Sequence, residues 1–372
     1  MSEPRATSVT AALLAEPDGA FEIRQLELQP PRADEVLVRI VATGVCHTDA
    51  AVRARDLPTP LPVVLGHEGA GIVEAVGASV TKVAVGDHVV LTFNSCGHCD
   101  MCLAGRPTIC DMCYPLNFGG SRLDGSHALC CDGAPVNDRF FGQSSFATYA
   151  IANERNAIKV TKDVPLELLG PLGCGIQTGA GAVINALKVG VGESLVVFGS
   201  GAVGMAAIMA AKVAGATTII AVDIVPSRLE MALELGATHV VNGRDEDAAA
   251  AIGRITGKGV HYALDTTGKV DIIRTGMDVL RPGGTCGFLG ASAPGSEIKV
   301  DAVMFMATSK HLRGIVGCDG VPEIFIPQLI DLYAQGRFPF DRLVRFYAFS
   351  ELNQAVSDSE KGLTIKPIVR ML

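Results

Sequence analysis

Leu195-Val196-Val197-Phe198-Gly199-Ser200-Gly201-Ala202-Val203-Gly204 is the stretch that decides the fold of this chain. Four apolar residues make a short buried strand, which runs into G-x-G-x-x-G and then into an Ala/Met-rich helical stretch. Gly199 permits a tight turn, Gly201 lets a pyrophosphate reach the backbone, and Gly204 lets helix and strand pack closely. The free N–H groups of Ala202 and Val203 and the dipole at the helix start favour the phosphates. The next strand, Thr218–Val222, runs into Asp223, about 20 residues on, as a dinucleotide fingerprint requires. A carboxylate there accepts a ribose 2′-OH and repels a 2′-phosphate, so NAD is expected over NADP. Arg228 steadies the ribose or is a solvated helix residue.

Working outward, strand and helix alternate from Ser194 to about residue 318. The helical stretches are 202–214, 227–235 and 270–280, and the strands are 218–222, 262–265 and 285–289. Such alternation implies βαβ units and a parallel sheet. Residues 20–95 read instead as β, with strands at 35–42, 71–77 and 88–91 and a Pro-rich connecting loop over 57–62. The tail after residue 319 is mixed helix and strand.

Composition narrows the function classes. The chain has 372 residues, enough for two domains, with 48% hydrophobic residues and 42 glycines. A net charge of -8 without a long Lys/Arg run argues against nucleic acid or an anionic membrane as a partner. The start, Met1-Ser2-Glu3-Pro4-Arg5, lacks the apolar run of a signal peptide, so cytoplasm is the expected location. The eleven cysteines are therefore read as metal ligands and reduced thiols rather than disulfides.

Two groups of residues carry metal chemistry. Cys96, Cys99 and Cys102 share two-residue gaps, and Cys110 follows on the same short loop. Four thiolates satisfy a tetrahedral zinc and leave it no open position, which marks a structural site. Cys110-Asp111-Met112-Cys113 is a further C-x-x-C and makes Cys113 a competitor for the fourth place. The second group is dispersed. Cys46-His47-Thr48-Asp49 and Gly66-His67-Glu68-Gly69 each follow a strand-like run, so Cys46 and His67 could supply two ligands of a catalytic zinc. Asp49 could orient the His67 imidazole. Spacing alone does not select a third ligand; Cys174 stands where the β-rich part meets the dinucleotide part.

Together these motifs, in this order and over nearly the whole chain, resemble the zinc-containing medium-chain alcohol dehydrogenases. Within that family the stretches 140–149, 167–181 and 336–341 look like the bacterial aryl-alcohol and monoterpene-alcohol enzymes. The resemblance implies an α/β fold with two domains. One is a β-rich GroES-like catalytic domain, 1–176 and 319–372, with a zinc lobe at about 95–113; the other is an NAD-binding Rossmann domain, 177–318. It implies Cys46, His67 and Cys174 as catalytic-zinc ligands and selects Cys110 for the structural zinc, so that each chain takes NAD and two zinc ions.

Other roles follow from the same resemblance. Glu68 would lie beneath the metal and Thr48 would take the alcohol proton. His47 would approach the pyrophosphate and Thr178 the nicotinamide, with Leu289 and Lys366 as further cofactor contacts. Leu57, Phe93, Leu116, Phe141 and Val316 would line an apolar pocket. Phe93 and Phe141 could stack on an aryl ring, or simply belong to the core. Many members carry a relay His where this chain has Ala51, which leaves the last proton step to cofactor ribose and water, or to His47. The expected reaction is oxidation of a benzyl-type or allylic primary alcohol by NAD. Monoterpene alcohols, or a glutathione adduct of formaldehyde, are the alternative substrates. A homodimer or homotetramer is the expected assembly. Cys113, Cys130, Cys131, Cys286 and Cys318 are expected to be spare thiols, and His98 a solvated loop residue.

Overall fold

A computed structural model describes residues 6–371. It divides into two compact units, Met1–Cys174 with Val321–Asp331 and Asp341–Leu372, and Gly175–Gly320 with Leu332–Phe340. The segment 332–340, expected with the catalytic part, is grouped with the dinucleotide part. Phe338 and Phe340 are fully buried there, and Tyr333 packs on Phe340 at 4.8 Å.

The second unit is built on a six-stranded, wholly parallel sheet. Its spatial order is His239–Asn242, Thr218–Asp223, Ser194–Phe198, Val260–Asp265, Leu280–Phe288, His311–Gly314. Numbered along the chain this is 3-2-1-4-5-6, the Rossmann order, which reverses beside Ser194–Phe198. Every residue of Ser194–Phe198 is buried, as befits a central strand covered on both faces. The helix Ala202–Ala214 follows the glycine turn and ends at Gly215, whose φ of 89° closes it in the left-handed region. One expected boundary moves. The helix from Val270 stops at Asp278, and a strand already begins at Leu280, through Pro282, Gly283 and Gly284. Pairing with Val260–Asp265 shifts register between Val260 and Tyr262, and that irregularity accommodates the breaker residues inside a strand.

The first unit holds two mostly antiparallel sheets. In the larger one, Glu35–Gly44 is the hub: Gly69–Val76 pairs along one edge, and Tyr149–Asn153 and Lys366–Arg370 share the other. The register sets Thr43 opposite Gly69 and Gly44 opposite Ile368. Three distant pieces of chain, near residues 45, 68 and 366, are thereby brought to one end of the sheet. The apolar residues Val36, Val38 and Ile40 of the hub enter a core with Leu65, Val73, Leu91, Phe140 and Phe146. One short helix, His47–Arg53, interrupts the region read as β.

A buried ionic cluster ties this sheet to the chain beyond it. Glu35 accepts from Arg122 through both carboxylate oxygens at 2.8 Å, from Arg139 at 2.7 Å and from the Arg32 N–H at 2.9 Å. Burial works against the charge, but the two guanidinium groups outweigh it and hold the Glu35 carboxyl below its usual range. The associated stability is present above the ordinary glutamate pKa and is lost as pH falls through the lowered one. Glu35→Gln keeps the size and removes the charge, leaving buried Arg139 short of a counter-ion. Its unfolding free energy is expected to fall by about 3–5 kcal/mol. An unchanged denaturant midpoint would show that the cluster contributes nothing net.

Candidate active site and structural metal lobe

The lobe forms as its spacing requires. The sulfurs of Cys96, Cys99, Cys102 and Cys110 all lie within 4.8 Å of one another, with Cys96–Cys102 and Cys99–Cys110 each at 3.9 Å. Four sulfurs at about 2.3 Å from one ion stand about 3.8 Å apart, so the set fits tetrahedral zinc. Backbone N–H groups reinforce it: Cys99 donates to Cys96 Sγ and Cys96 to Cys110 Sγ, both at 3.3 Å, and Met112 donates to Cys110 Sγ at 3.4 Å. Cys113 stays outside, 3.9 Å from the Asn117 amide. His98 is exposed, as read. Cys286 and Cys318 are buried, and burial pushes both thiols up to about 12, as inert spare thiols should be.

The second cluster is Cys46, His67 and Cys174, whose ligand atoms also lie within 4.8 Å of one another. Sheet register brings the first two together. The hub strand ends at Gly44, whose N–H donates to Glu68 O at 3.0 Å, so Cys46 and His67 leave neighbouring strand ends side by side. Cys46 caps the helix His47–Arg53, and Asp49 closes the cap by accepting the Cys46 N–H at 3.0 Å. The same carboxylate accepts from Gly66 N–H and from His67 Nδ1, each at 3.1 Å. With Nδ1 facing a carboxylate, Nε2 is the free ligand nitrogen. Nε2 is buried and has no hydrogen-bond partner among the described residues. An orphaned nitrogen beside two sulfurs is what a metal ligand looks like, and the three-ligand set fits zinc with a position to spare.

Cys174 arrives by close backbone approach. A side chain at Gly170 would stand 2.2 Å from Glu68 O, and one at Gly173 would stand 2.1 Å from Leu91 O. Thr92 Oγ1 donates to Gly173 O at 2.6 Å and fixes that turn. The hydrogen bond from Cys174, with His67 and Lys366 nearby, holds the Cys46 thiol well below its usual range despite burial. The same bond, with burial, raises Cys174. Thr48 Oγ1 lies 3.7 Å from Cys46 Sγ and is half-buried, next to the ligands.

Lys366, expected as a cofactor contact, is buried within the first unit, where its ammonium donates to both Glu68 oxygens at 3.0 and 2.9 Å and to Val45 O at 3.1 Å. The next residue is tied to the ligand turn as well, since Pro367 O accepts from Val45 N–H. Burial raises the Glu68 carboxyl to about 6, although Lys366 opposes the rise.

The other expected residues fall as follows. Leu57 and Phe141 are half-buried against the core of the first unit, where Phe93 and Leu116 are also half-buried. His47 is exposed at the first position of its helix. In the second unit Gly199 has a φ of 89°, and a side chain at Gly204 would stand 1.9 Å from Gly199 O. A side chain at Gly201 would meet nothing within 4 Å, so the backbone faces open space where a pyrophosphate needs it. Asp223 is buried at the strand end and accepts from Ser200 N–H at 2.6 Å, which holds the glycine turn. Arg228 stands 3.9 Å from it. Thr178, Ala202, Val203 and Leu289 are half-buried, and Val316 is exposed.

Two substitutions separate the roles of these clusters. Lys366→Met leaves a buried carboxylate uncompensated and is expected to cost about 3–5 kcal/mol of stability, most of which Lys366→Met with Glu68→Leu recovers. Chemical unfolding of both variants measures it; equal losses would mean that the pair is not coupled. Cys99→Ala is expected to lower bound zinc by one per chain and to lower the melting temperature, as elemental analysis and calorimetry would record. A variant of normal stability that had lost all activity would contradict a purely structural lobe.

Two family models match the chain: an alcohol dehydrogenase GroES-like domain over residues 32–162 and a zinc-binding dehydrogenase over residues 202–335. A geraniol dehydrogenase from Castellaniella defragrans is 47% identical over 364 residues, covering 97% of each chain. A solved alcohol dehydrogenase zinc-binding domain protein from Burkholderia ambifaria is 56% identical with a TM-score of 0.97, over 99% of this chain and 100% of that one. The solved benzyl alcohol dehydrogenase from Acinetobacter calcoaceticus is 53% identical with a TM-score of 0.96, over 98% and 100%. With both metal-ligand clusters and the glycine turn in place, the chain belongs to the zinc-containing alcohol dehydrogenase family, whose cofactors are zinc and NAD.

Proposed function

We propose that this enzyme oxidises a primary alcohol whose carbinol carbon adjoins an aromatic ring or a C=C bond, passing hydride to NAD. The observation that carries the substrate class is the pair of relatives at 47% and 53% identity, named for geraniol and for benzyl alcohol. One is allylic and the other benzylic, so the shared feature is a π system beside the reacting carbon.

When bound, zinc supplies the Lewis acidity that eases loss of the alcohol proton, and NAD supplies the hydride acceptor. Cys46, His67 and Cys174 would hold the zinc. The two sulfurs offset its charge, and the Asp49 carboxylate keeps the imidazole in the tautomer that presents Nε2. Thr48 Oγ1, beside Cys46, would receive the proton. Ala51, four residues along the same helix from His47, offers no group for the next transfer, so the exposed His47 or water would complete it. The Gly199–Gly204 turn and Asp223 would seat the dinucleotide. Self-assembly into a dimer or tetramer, readable by light scattering, completes the proposal.

NADH absorbance with benzyl alcohol, geraniol, ethanol and hydroxymethylglutathione tests the substrate class. The expected order places benzyl alcohol and geraniol at least tenfold above ethanol in kcat/KM, about 1.4 kcal/mol or more of transition-state preference. Activity confined to the glutathione adduct would overturn the proposal.

A further inference from the structure

The His67 imidazole is gripped on more sides than its two nitrogens account for. Asp49 holds Nδ1. Phe141 lies almost face to face with the ring, centroids 4.4 Å apart at 23°, and Phe140 meets its edge at 5.2 Å and 90°. Beneath them Gln143 braces the main chain: its amide donates to His67 O at 3.0 Å and to Thr92 O at 3.2 Å, and its oxygen accepts from Gly69 N–H at 3.1 Å. Ser145 N–H donates to Gly66 O at 2.8 Å and Phe146 N–H to Leu65 O at 2.9 Å. The segment Phe140–Phe146 therefore runs alongside Leu65–Gly69 and holds it at each step.

Phe141 reaches this position in a conformation that a bulky residue seldom adopts. Its φ is 50°, in the left-handed region, and Gly142 at 64° and Ser144 at 50° share it. A non-glycine residue there is strained and persists only where its surroundings enforce it. The enforcement is visible. Ser144 and Gln143 N–H donate to Phe140 O at 3.0 and 3.1 Å, Phe140 N–H donates to Ser144 Oγ at 3.0 Å, and the Asn156 amide donates to Phe141 O and Gly142 O at 3.3 Å.

We propose that Phe141 is a positioning residue for the catalytic metal: its ring, delivered by this strained turn, fixes the plane of the His67 imidazole so that Nε2 stays aimed at the space between Cys46 and Cys174. Asp49 sets the tautomer but leaves the ring free to swing about its Nδ1 bond. A parallel aromatic face 4.4 Å away removes that freedom. The inference rests on the three-ligand metal site and is independent of which alcohol is the substrate. It also bears on the expected pocket role of Phe141, since the ring face turned to His67 is closed to a substrate.

The test uses the full chain loaded with zinc, and with cobalt(II) in the three-ligand site. Phe141→Leu keeps apolar bulk, Phe141→Gly relieves the left-handed backbone, and both remove the ring; Phe141→Tyr keeps it. Loss of a group that orients a metal ligand typically costs ten- to a hundredfold in metal affinity. Each ringless variant is therefore expected to release one of its two zinc ions to a chelator at least tenfold faster than the parent, with the four-cysteine zinc retained. Each should also shift the cobalt ligand-field bands, while Phe141→Tyr matches the parent in both readouts. A folded Leu or Gly variant with the parent's spectrum and release rate, altered only in KM for benzyl alcohol, would overturn the proposal and leave Phe141 as a pocket wall. Slowed release in Phe141→Gly would likewise overturn it, by showing that backbone strain rather than the ring governs the site.

Discussion

Asp49 is fully buried, and its two oxygens serve three donors: the Cys46 N–H, the Gly66 N–H and the His67 ring. The rest of the site depends on that one carboxylate. It closes the helix that begins beyond Cys46, pins the turn that carries His67, and chooses which imidazole nitrogen faces the metal. A buried carboxylate without donors would be expensive, and three N–H groups meet that cost. A single side chain thus gives two ligands from separate strands a common reference point.

A second buried charge pair works beneath the first. Glu68 follows His67 directly, and Lys366 comes from the last strand of the chain. The pair places a compensated cation and anion beside the turn that carries His67. It also joins Lys366–Arg370 to the turn that carries His67, and the same strand pairs with Glu35–Gly44, the hub of the larger sheet.

How much of this the sequence discloses depends on the range of the interaction. The glycine turn, the lobe cysteines and the strand–helix alternation are local patterns, and each was legible because its function is met within about 30 residues. Cys174 lies 128 residues after Cys46, with His67 between them, and no spacing rule joins the three; only the family resemblance did. The Lys366–Glu68 pair, 298 positions apart, lies equally beyond any spacing rule. Gln143 was equally invisible, because its role is to bond backbone atoms, which every residue has. The left-handed φ of Phe141 left no trace in the sequence either.

The lobe and the open site also touch through packing. The helix Cys113–Phe118 begins three residues after Cys110, and its Phe118 meets Phe141 at 5.1 Å and Phe140 at 6.1 Å. Both of those rings contact His67. Asn117 on the same helix exchanges hydrogen bonds with Asn94 and so fixes the chain that enters Cys96. An aromatic row thus leads from the structural lobe to the catalytic imidazole with no gap wider than ordinary ring contact. Phe118 and Phe141 thus stand between the lobe and His67, while the four sulfurs of the lobe leave its own metal no room to react.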